Sequence, residues 1–68
     1  MKLSARNQIP GTIVACVMGQ TTAHVRIDIG GGVIVTSSIT NEAVEELGLA
    51  VGDKVFAVVK SSDVMVGK

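Results

Sequence analysis

The chain has 68 residues, 47% of them hydrophobic and 18% charged, and its six basic and six acidic side chains leave no formal net charge. This length allows one domain, residues 1–68, and the apolar content argues against a disordered chain. The balanced charge excludes a polybasic or acidic tail, no apolar run reaches the ~18 residues of a membrane span, and no signal peptide is visible, so we expect a cytoplasmic protein.

Three strands are predicted in the first forty residues. Residues 11–18 form an apolar strand that we expect to be covered on both sides, with the odd-numbered positions 13 to 17 on one face. Glycines 30–32 predict a hairpin loop that leads into a third strand over residues 33–39. Between these two strands, residues 22–29 alternate between apolar and polar, which places four side chains on the core face: Ala23, Val25, Ile27 and Ile29.

The hydrophobic period then changes to that of a helix. Residues 41–47 predict two helical turns, with Thr40 as the N-cap and Gly48 as the C-terminal stop. Residues 55–59 form a fourth, apolar strand, and residues 63–66 a short fifth one. Five short strands with one short helix between the third and the fourth predict a mainly β fold, an OB-like five-stranded β-barrel.

So small a domain needs support beyond its own core. A chain of this size buries only about 60% of the surface that its unfolded state exposes, and Phe56 is its one aromatic residue. Cys16 has no second cysteine with which to form a disulfide, and no Cys/His spacing indicates structural zinc. We therefore expect the chain to form a homo-oligomer.

The sequence offers few residues for catalysis. Nucleophilic catalysis needs a nucleophile, a base and an orienting group within reach of one another. The one cysteine, Cys16, lies in an apolar strand and is typical of a buried thiol, while the one histidine, His24, lies on a polar strand face. We predict a protein that is not an enzyme and that has neither a cofactor nor direct metal ligands.

The composition favours a binding function over catalysis. An OB-type barrel can bind nucleic acid, but that use needs a basic groove and aromatic stacking platforms, which a neutral chain with one phenylalanine does not supply. This nucleic-acid-binding module is kept as one alternative. A structural assembly module is the other.

Oxyanion binding fits the residue pattern better. Residues 4–7 (SARN) and 60–62 (KSS) each set a cation beside hydroxyl groups, and Thr40 begins a helix whose first N–H groups are free. Charge-assisted hydrogen bonds from arginine, lysine, hydroxyls and backbone amides are what a tetrahedral dianion requires. The spacing alone leaves open whether Arg6 and Lys60 meet or are simply solvated side chains at strand ends.

Residues 4–8 (SARNQ), followed by Pro10-Gly11 and an apolar strand, and the closing residues 56–62 (FAVVKSS) resemble the molbindins. This is a family of small cytoplasmic proteins that bind molybdate. The resemblance covers almost the whole chain, and it implies an OB-like subunit in a homohexamer, a trimer of dimers.

The resemblance also implies a function and a set of site residues. Molybdate or tungstate would be bound at subunit interfaces by hydrogen bonds and stored or buffered in the cytoplasm, with no role for nucleic acid or membrane. Matched position by position, the first binding segment contains Ser4, Ala5 and Arg6. The second contains Lys60 and Ser61, and Thr40 is a further contributor.

Overall fold

The computed structural model describes residues 3–68. Its elements follow in the order β1 (Asn7–Met18), β2 (Thr22–Gly30), β3 (Val33–Thr40), α1 (Asn41–Leu47), β4 (Lys54–Val59) and a 3-10 turn (Ser61–Asp63). All strand pairs are antiparallel, and within the described residues they form one four-stranded sheet in the order β3-β2-β1-β4. The fold is therefore mainly β and OB-like, with the short helix after the third strand as the sequence predicts.

The predicted fifth strand over residues 63–66 does not form within the described residues. Residues 61–63 form the 3-10 turn, the following residues pair with no strand, and Met65 and Val66 are each 94% exposed. A short apolar segment makes a strand only where a neighbouring backbone offers its hydrogen-bonding groups. A cleft of about 200 Å³ separates β3 from β4, so the expected five-stranded barrel closure is not confirmed.

A β-bulge in β1 separates residues that the sequence predicts on one face of that strand. The pairing with β2 shifts between Ile13 and Ala15, because Val14 is an extra residue that points to solvent. Beyond the bulge the alternation is inverted, so that Cys16 packs on the core while Val17 is 64% exposed. Ile13 and Val17 therefore do not share one face as predicted, and the expected cover on both faces of β1 is absent from the described chain.

The helix forms where the sequence predicts it, for the predicted reasons. The Thr40 Oγ1 atom accepts a hydrogen bond from the Ala43 backbone N–H at 3.1 Å, which caps the N-terminus of α1. Gly48 ends the helix with a φ of 62°, a left-handed conformation that glycine adopts at little cost. Val44 is buried and fastens α1 to the sheet. No helix in residues 3–68 is long and apolar enough to cross a membrane.

The core is small for the number of apolar residues. The buried side chains are Ile13, Ala23, Val25, Ile27, Val44 and Ala57. Three of the four β2 residues predicted for the core face are among them, and the fourth, Ile29, is half-buried. In contrast, Leu47, Phe56 and Val58 are 69%, 53% and 41% exposed, and they line an apolar groove of about 410 Å³. One chain by itself thus leaves much of its apolar surface in water.

Candidate functional site

The pairing of β1 with β4 determines where the two cation-containing segments lie. Its register runs from Thr12 opposite Lys54 to Asn7 opposite Val59. Because the pair is antiparallel, Arg6, which precedes Asn7, and Lys60, which follows Val59, both adjoin the same end of the sheet. Segments that are more than fifty residues apart in sequence therefore leave the sheet side by side, at the same end.

Two side-chain amides form hydrogen bonds at this end of the sheet. The Asn7 Nδ2 atom donates a hydrogen bond to the Val59 carbonyl at 3.1 Å and so joins β1 to the last residue of β4. The Gln8 Nε2 atom donates to the Ala5 carbonyl at 3.3 Å, which folds the residues before β1 back onto the strand. Sequence reasoning did not assign a role to these two residues, and for Asn7 no local pattern reveals an acceptor that lies 52 residues away.

The cations at this end are unneutralised within the described residues. Arg6 and Lys60 are exposed, as are Ser4 and Ser61, while Ala5 is half-buried. Within residues 3–68 neither cation forms an ion pair or a side-chain hydrogen bond. Two adjacent positive charges with hydroxyls beside them are complementary to an anion. In a single chain this end is open to solvent, so its Coulomb attraction is weakened by water.

Thr40 lies elsewhere in the chain. It pairs with Thr22 at the last position of β3, near the Met18 end of β1, whereas Arg6 precedes the opposite end of β1. Its Oγ1 atom already accepts the N-cap hydrogen bond, which leaves the hydroxyl hydrogen available to donate. The structure thus places five of the six predicted site residues at one end of the sheet, and Thr40 at the other.

Other features of the described chain suit an oxyanion less well. A cleft of about 490 Å³ is lined by residues 10–12, 28–30 and 54–56, and there the Lys54 Nζ atom donates to Thr12 Oγ1 at 3.0 Å. The carboxylate of Asp28 also lines this cleft and would repel an anion. Within residues 3–68 no group of three or more His, Cys, Asp or Glu side chains is placed to bind a metal ion.

Comparison with known proteins relates the whole chain to one group. The TOBE domain pattern matches residues 3–66. A probable molybdenum-pterin-binding protein of Haemophilus influenzae is 48% identical over 67 residues, which are 98% of this chain and 97% of that protein.

Solved structures agree with the sequence comparison. A molybdate-binding protein from Sporomusa ovata is 37% identical and superposes with a TM-score of 0.93 over 100% of both chains. The cytoplasmic molybdate-binding protein ModG, solved with molybdate bound, is 43% identical with a TM-score of 0.89. That match covers 96% of this chain and 46% of ModG.

Proposed function

The chain belongs to the TOBE-domain family, among its molbindin-type members, and we propose that it binds molybdate where β1 begins and β4 ends. The observation that carries the proposal is the β1–β4 register, which ends with Asn7 opposite Val59, so that the adjoining residues Arg6 and Lys60 leave the sheet at the same end. In this proposal the two cations neutralise the anion. The hydroxyls of Ser4 and Ser61 and the backbone N–H of Ala5 bind its oxygens.

The charge of the ligand explains why two cations are needed. Molybdate is a tetrahedral dianion, and a charge that leaves water without a partner is strongly destabilised. One arginine and one lysine supply two compensating charges, and arginine adds a planar fork of donors that a lysine lacks. If each charge-assisted hydrogen bond contributes about 1.5–3 kcal/mol, four to six of them account for the ~8 kcal/mol of micromolar binding.

We propose further that the site is completed between subunits. The exposed position of Arg6 and Lys60, together with the exposed apolar residues such as Phe56 and Val58, supports an assembly that covers both. The resemblance to the molbindins implies a homohexamer, a trimer of dimers, which we propose for this chain. Because Thr40 lies at the other end of β1 in its own chain, its hydroxyl would reach the anion from a neighbouring subunit.

The proposed physiological role is storage or buffering of molybdate in the cytoplasm. The likeness to ModG, a cytoplasmic molybdate-binding protein, supports that location. Tungstate has the same shape and charge and would occupy the same site. Since a ligand that binds only the assembled state stabilises it by mass action, the oligomer should become more stable as molybdate is added.

Titration calorimetry tests the proposal directly. Molybdate and tungstate should each give saturable heat at micromolar protein, and sulfate in competition should report how far the site discriminates by anion size. Sedimentation of the same samples should show an oligomer that dissociates less readily when molybdate is present. The absence of heat with molybdate would refute the binding proposal, and equal oligomer stability with and without it would refute the interface site.

A further inference from the structure

The side-chain amide of Asn7 binds the peptide unit that leads into Lys60. Its Nδ2 atom donates to the Val59 carbonyl at 3.1 Å, and that carbonyl belongs to the same planar peptide unit as the Lys60 backbone nitrogen. Asn7 is half-buried, and it lies opposite Val59 at the last pairing position of β1 and β4. The side-chain bond therefore restrains the peptide unit immediately before the cation, where the strand pairing ends.

Gln8 makes the corresponding contact in the other cation-containing segment. Its Nε2 atom donates to the Ala5 carbonyl at 3.3 Å, and that carbonyl shares a peptide unit with the Arg6 backbone nitrogen. Ala5 and Arg6 precede the first residue of β1 and lie outside its pairing with β4. The side chain of Gln8 thus restrains a peptide unit that the sheet itself does not hold.

A restrained carbonyl fixes the starting point of the residue that follows it. Within residues 3–68 every peptide bond is trans, so the carbonyl oxygen, the next N–H and the next Cα lie in one plane. A hydrogen bond to the oxygen limits the rotation of that plane, and with it the position from which the next side chain projects. Arg6 and Lys60 are both exposed, and an unrestrained backbone at these two positions would sample many orientations.

We propose that Asn7 and Gln8 are positioning residues of the proposed molybdate site. Asn7 orients the backbone of Lys60. Gln8 orients the backbone of Arg6. This inference rests on the proposed function, because it requires an anion that both cations bind. Neither amide needs to touch the anion, since each one orders a peptide unit before the anion arrives and so lowers the entropic cost of binding.

A purely structural role for the two amides predicts a different result. If they only stabilise the end of the sheet, their removal lowers the free energy of unfolding but leaves the affinity of the folded protein unchanged. A positioning role predicts weaker binding by the folded protein, because binding must then order the backbone of one more residue. That ordering corresponds to about five- to thirtyfold in Kd.

Two variants of similar side-chain size remove one donor each. Asn7→Leu and Gln8→Met should each weaken molybdate binding, measured by titration calorimetry, by about five- to thirtyfold. The matched control is Thr12→Val, which removes another side-chain hydrogen bond between β1 and β4, the 3.0 Å contact of Thr12 Oγ1 with Lys54 Nζ. This contact lies at the other end of the β1–β4 pairing, so the control should bind molybdate like the unmodified chain.

Backbone NMR relaxation supplies a readout that a structural role would not produce. In the molybdate-free protein, the order parameter of the Lys60 N–H should fall from about 0.85 to below about 0.6 in Asn7→Leu, while that of Arg6 is kept. Gln8→Met should give the opposite pattern. Urea denaturation shows whether each variant is folded under the conditions of calorimetry. If Asn7→Leu does not fold, Gln8→Met still tests the proposal, because its bond lies outside the β1–β4 pairing.

The outcomes separate the positioning role from the site itself. Weaker binding together with loss of order at the one expected cation supports the role of the residue that was replaced. Unchanged affinity, unchanged order parameters, or an equal loss of affinity in Thr12→Val overturns it, while the molybdate site stands. The absence of heat when molybdate is added to the unmodified chain refutes the proposed function, and the positioning role with it.

Discussion

The loss of molybdate affinity when Arg6 is replaced reports how far the proposed site is shielded from water. Arg6→Gln removes one of the two positive charges that adjoin this end of the β1–β4 pair and keeps a polar side chain. In the single chain Arg6 is exposed, and an exposed charge pair is worth only about 0.2–1 kcal/mol, which is less than about sixfold in Kd. If a neighbouring subunit covers the site, the loss should be about 2–4 kcal/mol, or roughly 30- to 1000-fold.

Calorimetry with molybdate distinguishes these two magnitudes. The matched control is Lys54→Gln, an exposed cation of β4 whose Nζ atom lies 3.0 Å from Thr12 Oγ1 and not at the Arg6 end of the sheet. We expect Arg6→Gln to weaken binding by at least about thirtyfold and the control to bind like the unmodified chain. If Arg6→Gln and the control have equal affinities, the assignment of Arg6 to the site is refuted. A loss of only a few-fold would instead contradict burial of the site at an interface.

Three further predictions address assembly and fold. Phe56→Ser should lower the mass of the assembly measured by sedimentation, because Phe56 is 53% exposed within an apolar groove. The control Glu46→Gln, on α1, should leave that mass unchanged. Equal masses for the two variants would contradict association through this groove. Gly11→Ala should lower the free energy of unfolding, measured by urea denaturation, by about 1–3 kcal/mol, since the added Cβ would lie 2.6 Å from a β2 methyl group. Gly67→Ala should leave it unchanged, because a Cβ there meets nothing within 4 Å. Thr40→Ala should lose about 1 kcal/mol of stability with the N-cap, and Thr40→Ser should restore it; equal stability of the two variants would argue against the cap.

Local patterns predicted the elements of this fold well where each residue's environment depends on its near neighbours. The alternation in β2 correctly placed Ala23, Val25 and Ile27 in the core. The Thr40 and Gly48 caps correctly bounded α1, because both caps act on backbone groups only a few residues away.

The sequence predictions failed for residues whose surroundings depend on parts of the chain that are distant in sequence. The bulge at Val14 cannot be seen in an apolar run, since both registers of such a strand place apolar side chains on both faces. Residues 64–66 have the composition of a strand but no backbone partner within the described chain. In both cases the hydrogen-bonding partner, and not the local sequence, decides the outcome.

The candidate site combines both kinds of information. The residue types, an arginine and a lysine beside serines, predict an affinity for a tetrahedral anion from chemistry alone. That Arg6 and Lys60 come to the same end of the sheet follows from the β1–β4 register, which the Asn7 amide fastens at Val59. The separation of Thr40 from them follows from the same topology.

By itself, the sequence determined that this chain is a small, mainly β domain with one capped helix, and it predicted an oligomer and an oxyanion site. Only the tertiary structure decided which residues meet and which face of β1 is inside. The physical reason is the range of the forces involved. Capping and alternation act over a few residues, whereas strand pairing joins backbone groups whose separation along the chain no local pattern records.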